Sequence, residues 1–172
     1  MGKKSRRKRE TPRVKADVAL QKFQRLPMTV REDPWNETRI NAFYSYVDMF
    51  HTANIAGCIK NPNNRFYRED DLQVLWTVGY SQFEPAISRV RALDLLGRMD
   101  IYTLDEFGKA LERFEVALEV CETASSEDRK RNILIRGKTV NVGAWLKSKE
   151  EFLKEVVSGE SKLLLSTTCA IR

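Results

Sequence analysis

The spacing of apolar residues predicts helices through most of the first 124 residues. Apolar residues fall on one face of a helix in 33–58, 84–98 and 103–123, and helices are also expected at 16–26 and 71–79. Prolines near the starts of two of them, Pro34 and Pro85, suit the first positions of a helix. Segment 71–79 also alternates like a strand, and a helix is the favoured interpretation. We therefore predict that this part of the chain is helical.

The most regular of these segments is 103–123. Thr103 and Glu106 form the T-x-x-E pattern of a capping box, which predicts a helix that starts at Thr103. The apolar positions that follow are Leu104, Phe107, Leu111, Phe114, Leu118 and Cys121. This seam predicts packing against another helix, either in the same chain or in a second copy.

The pattern changes after residue 124. The polar stretch 125–132 predicts a loop. Residues 133–135 and 139–142 are rich in β-branched side chains and are separated by Arg136-Gly137-Lys138, which predicts a β-hairpin with these residues at its tip.

The last part of the chain returns to helical spacing over 143–158, and Gly159 is expected to end that helix. Leu163-Leu164-Leu165 is expected to add a third strand beside the hairpin. The predicted fold class is mainly α with a small C-terminal β element (α+β). We expect one globular domain over 16–172, with a helical part at 16–124 and a hairpin, helix and strand at 133–172.

Positive charge is concentrated at the start of the chain. The net charge of the whole chain is +6, whereas residues 1–15 alone carry eight basic groups and one acid. The basic residues of this segment are Lys3, Lys4, Arg6, Arg7, Lys8, Arg9, Arg13 and Lys15. Because like charges repel and Pro12 disfavours regular structure, we predict a disordered basic arm over 1–15, attached to a nearly neutral body.

A second basic cluster lies in the predicted loop and hairpin. It consists of Arg129, Lys130, Arg131, Arg136 and Lys138. If the hairpin forms, Arg136 and Lys138 stand at its tip, where they could contact phosphates together with the arm. The alternative is an ordinary solvated turn, since exposed charge is common on turns.

The residues that usually carry catalysis or metal binding are sparse. His51 is the single histidine, which excludes a multi-histidine metal site and a Cys2His2 zinc site. Gly137-Lys138-Thr139 resembles the end of a P-loop, but Asn132 stands where that motif needs glycine. Acids at 69–71 precede a predicted helix, where they complement its dipole. We expect no catalytic residues, no metal, no cofactor and no small-molecule substrate.

The remaining features concern location. The chain has three widely spaced cysteines, no apolar run that could cross a bilayer and no apolar segment typical of a secretory signal. These features predict an intracellular protein, in the cytoplasm, the nucleus or a virion.

The leading hypothesis is a non-enzymatic protein that binds nucleic acid, RNA rather than DNA, chiefly through its phosphates. Its plan, a basic arm on a helical body, is typical of packaging proteins such as viral nucleocapsid, coat or matrix proteins, which self-associate. One alternative is a matrix or adaptor protein whose arm binds an anionic membrane surface. Another is a nuclear protein whose arm is only an import signal.

Overall fold

The computed structural model of the chain describes residues 11–60, 68–104 and 106–159; within them, the side chains of 55–60 and 102–104 are not described. The helices are α1 (Pro12–Gln24), α2 (Met28–Arg31), α3 (Glu37–Lys60), α4 (Glu69–Tyr80), α5 (Ala86–Leu104), α6 (Phe107–Thr123), α7 (Ser126–Lys130) and α8 (Val142–Val157), and the strands are β1 (Asn132–Ile135) and β2 (Lys138–Asn141). A mainly helical chain with a small antiparallel sheet near its C-terminus confirms the predicted class. The expected third strand at 163–165 lies outside the described residues.

Helix α1 begins inside the segment that was predicted to be a disordered arm. The Thr11 side chain accepts a hydrogen bond from the Val14 N–H at 3.4 Å, and Pro12 occupies the first helical position. Ala16, Ala19 and Leu20 are buried against α3. For residues 12–15 the prediction of disorder is therefore wrong, because a cap and an apolar face outweigh the local excess of positive charge.

Helix α3 is central, with α1 packed along one face and α5 and β1 packed elsewhere along its length. It begins at Glu37 rather than at the predicted Pro34. The Asn36 side chain caps it by accepting from the N–H groups of Thr38 and Arg39 at 3.0 and 3.3 Å. Asp33 instead caps a turn before the helix, where it accepts from the Trp35 N–H at 3.0 Å.

The structure confirms helices at 71–79 and 84–98 and extends the second one to Leu104. The predicted helix start at Thr103 is wrong, because Thr103 belongs to α5. Met99 and Ile101 are buried and continue the apolar face of α5 past the predicted end. Helix α6 follows at Phe107 after a short break, in which the Glu106 N–H donates to the Asp100 carbonyl at 2.9 Å.

The predicted seam of α6 is only partly buried. Phe114 and Cys121 lie in the core, whereas Phe107 and Leu111 remain 48% and 39% exposed. The buried face is completed by Ala110, Ala117 and Val120. These small side chains let α6 approach α5 so closely that a Cβ added at Gly97 would lie 2.7 Å from the Phe114 ring. The buried part of the seam thus packs within the chain, on a face turned slightly from the predicted one.

The C-terminal part follows the prediction except at its start. The predicted loop contains helix α7, which Ser125 caps by accepting from the Asp128 N–H at 3.0 Å. Strands β1 and β2 form the predicted hairpin, and α8 begins directly after β2 with Asn141 as its cap. Gly159 follows α8 with a φ of +73°, as expected of a residue that ends a helix.

Candidate polyanion-binding surface

Six of the basic residues predicted for the arm lie outside the described residues. They are Lys3, Lys4, Arg6, Arg7, Lys8 and Arg9. The other two, Arg13 and Lys15, stand in the first turns of α1, and Lys15 is exposed. The arm therefore joins the folded body at the start of α1.

Arg13 is held by a buried carboxylate. Its guanidinium donates to Asp71 at 2.8 Å and to Asp17 at 2.6 Å. Asp71 is fully buried and also accepts from the Tyr46 hydroxyl at 2.9 Å and the Arg68 N–H at 2.8 Å. Burial, reinforced by Asp71, raises the pKa of Tyr46, which keeps its hydroxyl a donor. Arg13 thus joins α1 to α3 and α4, and a phosphate contact by Arg13 would compete with these bonds.

Two of the three basic residues at 129–131 contact other parts of the folded body. Arg129 donates to the carbonyl oxygens of Cys121 and Ala124, which fastens α7 to the end of α6. The guanidinium of Arg131 lies over the ring of Trp35, 4.4 Å from its centroid. Lys130 is exposed.

The tip of the hairpin has an unusual backbone. Arg136 and Gly137 both have positive φ values, +54° and +74°, as a two-residue type I′ turn requires. Glycine adopts this conformation readily, but arginine does not. Arg136 also forms an ion pair with Asp48 of α3.

Side chains of α3 fix the position of the hairpin. Asn41 donates to the Leu134 carbonyl at 2.6 Å and accepts from the Arg136 N–H at 2.9 Å. Glu37 accepts from the Leu134 N–H at 3.3 Å. These bonds satisfy backbone groups on the free edge of β1, while Ile133 and Ile135 are buried on the core side. The hairpin is therefore attached to the body on two sides.

Between the hairpin and the helices lies a cavity of about 310 Å³, which we call the hairpin cleft. Its polar and aromatic lining residues are Tyr44, Asp48, Arg91, Arg136, Lys138 and Trp145. Three cations thus face one carboxylate. This volume is at the lower end of the range for small-ligand sites.

Arg91 is the cation that α5 contributes to the cleft, and its two terminal nitrogens are held by different carboxylates. One donates to Asp48 at 2.9 Å, and the other lies 3.5 Å from Asp94. Asp94 is buried and is also 3.0 Å from Arg98 and 3.9 Å from Lys149. Burial lowers the pKa of Lys149, with a further contribution from the two arginines, although Asp94 opposes it. Three positive groups, Arg91, Arg98 and Lys149, thus share two carboxylates, those of Asp48 and Asp94.

Of the three cations that line the cleft, the sequence analysis named Arg136 and Lys138 but not Arg91. In the sequence Arg91 is one of several charged residues on a helix with ordinary amphipathic spacing. Its place in the cleft results from the packing of α5 against α3 and α8, which no local pattern indicates. A buried partner such as Asp94 gives no signal either, since its burial is a tertiary property.

His51 and Cys121 are the two described side chains whose pKa bears most directly on reactivity. His51 is half-buried, and its pKa is lowered by burial and by Arg91 and Arg98. Burial raises the pKa of the Cys121 thiol to about 12, so the thiol stays protonated. Among the side chains that are described within residues 11–60, 68–104 and 106–159, no three of the types His, Cys, Asp and Glu are placed to hold a metal ion. Over the same residues, no helix combines the length and the apolar character needed to cross a bilayer.

Comparisons with protein-family models, with curated proteins and with solved structures found no match to this chain.

Proposed function

We propose that this chain is a non-enzymatic RNA-binding protein of the packaging type, which holds the sugar–phosphate backbone chiefly through its basic arm. The observation that carries the proposal is the distribution of charge. Residues 1–15 have a net charge of +7 and the other residues of −1. Lysine and arginine that replace condensed counterions on phosphates provide affinity without sequence preference.

The hairpin cleft supports this proposal with a second group of cations. We call the start of α1, where Arg13 is bound to Asp71, the root of the arm. Tyr46 lies next to this root through its bond to Asp71, and Asp48 in the cleft is two residues further along α3. Two residues turn a helix by about 200°, so the root of the arm and the cleft lie on opposite sides of α3. Ten residues can span at most about 36 Å, which is several times the width of a helix. An RNA strand that contacts the arm can therefore also contact the cleft.

The experiment that tests the proposal removes residues 2–10. This boundary leaves Thr11, Pro12 and Arg13 in place, and with them the cap of α1 and the ion pair to Asp71. Binding to a labelled single-stranded RNA is measured by fluorescence anisotropy at several salt concentrations. Six arm cations at about 0.7 per contact predict that the logarithmic salt slope falls by about 4 in magnitude on deletion.

The matched control replaces the six cations of residues 2–10 by glutamine and so keeps the length of the arm. We expect it to bind RNA as weakly as the deletion, since the proposed contacts are electrostatic. RNA affinity that is unchanged by both variants would refute the proposal.

Flotation with phosphatidylserine vesicles, with and without competing RNA, separates this function from the membrane alternative. Vesicle binding that survives an excess of RNA would favour the membrane. Self-association stays a prediction, and light scattering coupled to size-exclusion chromatography measures it.

A further inference from the structure

The hairpin cleft has features that a bare turn with exposed charges lacks. It is a cavity in which cations come from two separate elements, α5 and the hairpin, and aromatic rings come from α3 and α8. Arg91 is fixed by Asp48 and Asp94, so little side-chain freedom remains for it to lose when a ligand binds. Lys138 is exposed and forms no ion pair with the residues that the structure describes.

Arg136 occupies a position that local preference would give to another residue. In type I′ turns the first central position favours asparagine or aspartate, and a left-handed conformation is costly for a long side chain. Its side chain reaches back to Asp48 and lines the cavity. Residues held in an unfavourable backbone conformation concentrate at functional sites, which makes this arginine a candidate for ligand contact.

The charges and rings of the cleft match the parts of a nucleotide. Arg91, Arg136 and Lys138 exceed Asp48 by two positive charges, which suits a phosphate group. Trp145 and Tyr44 add aromatic lining, and aromatic side chains are common stacking partners of unpaired bases. The Tyr44 hydroxyl donates to the Ile87 carbonyl at 3.3 Å and is buried, so Trp145 is the more accessible ring.

We propose that the hairpin cleft binds one nucleotide of an RNA strand, with the phosphate held by Arg136, Lys138 and Arg91 and the base against Trp145. The proposal rests on the function proposed above and names the unit of RNA that the folded body recognises. Asp48 holds Arg136 and Arg91 in the absence of RNA, and the phosphate takes over those contacts when RNA enters. The arm supplies affinity along the backbone, whereas the cleft binds a single exposed nucleotide.

The test uses the full chain and two small probes, adenosine monophosphate and inorganic phosphate, followed by nuclear magnetic resonance. Adenosine monophosphate is expected to shift the Gly137 amide signal and the indole N–H signal of Trp145. Because the arm can bind phosphate anywhere along its length, only signals from the cleft count. Inorganic phosphate is expected to shift Gly137 but to bind more weakly. Equal affinity for the two probes would overturn the role given to Trp145.

Two variants test the residues. Arg136→Asn places a favoured residue in the turn, so the hairpin should form at least as well while the affinity for adenosine monophosphate falls about ten-fold or more. Asp48→Asn removes the competing carboxylate and should tighten binding several-fold. The matched control is Lys147→Gln, which removes one positive charge from the opposite side of α8 and should leave the affinity for the probe unchanged. A drop in affinity with Lys147→Gln equal to that of Arg136→Asn would overturn the proposal.

The two proposals fail in different ways. If RNA binding depends on the arm but adenosine monophosphate leaves the cleft signals unchanged, the nucleotide site is wrong and the RNA-binding function stands. If the probe binds in the cleft but the chain ignores RNA at low salt, the assignment to an RNA strand is overturned.

Discussion

Replacement of Asp71 by alanine should be among the most destabilising single changes in the described part of the chain. Asp71 is fully buried and accepts hydrogen bonds from Arg13, Tyr46 and the Arg68 N–H. Removing one partner of a buried ion pair costs about 3–5 kcal/mol, because the other charge stays desolvated. Arg13 is one-fifth exposed and keeps its ion pair with Asp17, which lowers this cost, whereas Tyr46 loses its acceptor, which raises it. We therefore expect the free energy of unfolding to fall by about 4 kcal/mol.

The assay is urea denaturation followed by circular dichroism, with the free energy of unfolding obtained by linear extrapolation. Asp17→Ala is the matched control. It removes a second carboxylate that contacts Arg13, but from a partly exposed i,i+4 pair, for which about 0.3–0.5 kcal/mol is usual. The further ion pair of Asp17 with Arg68 is exposed on the Arg68 side and should add little. If Asp71→Ala unfolds the chain outright, Asp71→Asn keeps the shape and one acceptor oxygen and allows a measurable loss.

A double-mutant cycle with Arg13→Ala separates the pair from the rest of the site. Contacting residues of this kind couple by about 0.5–3 kcal/mol, so the double variant should lose less stability than the sum of the single variants. Additive losses, or an Asp71→Ala cost no larger than that of Asp17→Ala, would refute the assignment of a structural ion pair at the root of the arm.

Two further predictions concern packing and pH. Gly143→Ala should destabilise the fold by about 1–3 kcal/mol in urea denaturation, because the added Cβ would lie 2.5 Å from the Arg129 carbonyl oxygen. The control, Gly108→Ala on α6, places its Cβ in open space and should be neutral or stabilising. Equal effects of the two substitutions would contradict this reasoning. The second concerns His51, whose pKa is lowered by burial and by neighbouring arginines of α5. Unperturbed histidine has a pKa of about 6.5, so just below that pH the unfolded chain binds more protons than the folded chain. The contribution of His51 to stability is therefore complete above about pH 6.5 and is lost as the pH falls towards the folded pKa. Denaturation midpoints from pH 5 to 7 should vary less in His51→Gln than in the natural sequence, and an unchanged pH dependence would contradict this.

Local signals in the sequence were sufficient where one stretch of chain determines the structure. Arg136-Gly137-Lys138 lies between two β-rich segments, and the hairpin formed there as predicted. The helix after it also follows, since its apolar spacing and Gly159 are both local. Such elements need no knowledge of what packs on them.

Local signals misled where a neighbouring element competed for the same residues. The pattern at Thr103 and Glu106 fits a capping box, but α5 extends through Leu104 because Met99 and Ile101 are buried. A cap is worth about 1 kcal/mol, which is less than the burial of two large apolar side chains. The hairpin cleft was beyond sequence reasoning for a related reason. Its residues come from α3, α5, the hairpin and α8, and only the packing of these elements brings them together.

The contacts that individual arginines make within the fold bear on which of the predicted residues are available to a phosphate. The sequence suggested thirteen phosphate contacts, but two of those residues are committed to the fold. Arg13 is paired with buried Asp71, and Arg129 fastens the end of α6 through the Cys121 and Ala124 carbonyls. For either residue to contact a phosphate, a buried carboxylate or a carbonyl group would have to lose its donor, at a cost similar to the gain. For the proposed RNA binding, we therefore expect the salt dependence to reflect the arm residues before Thr11 and the exposed cations of the hairpin more than the charges held inside the fold.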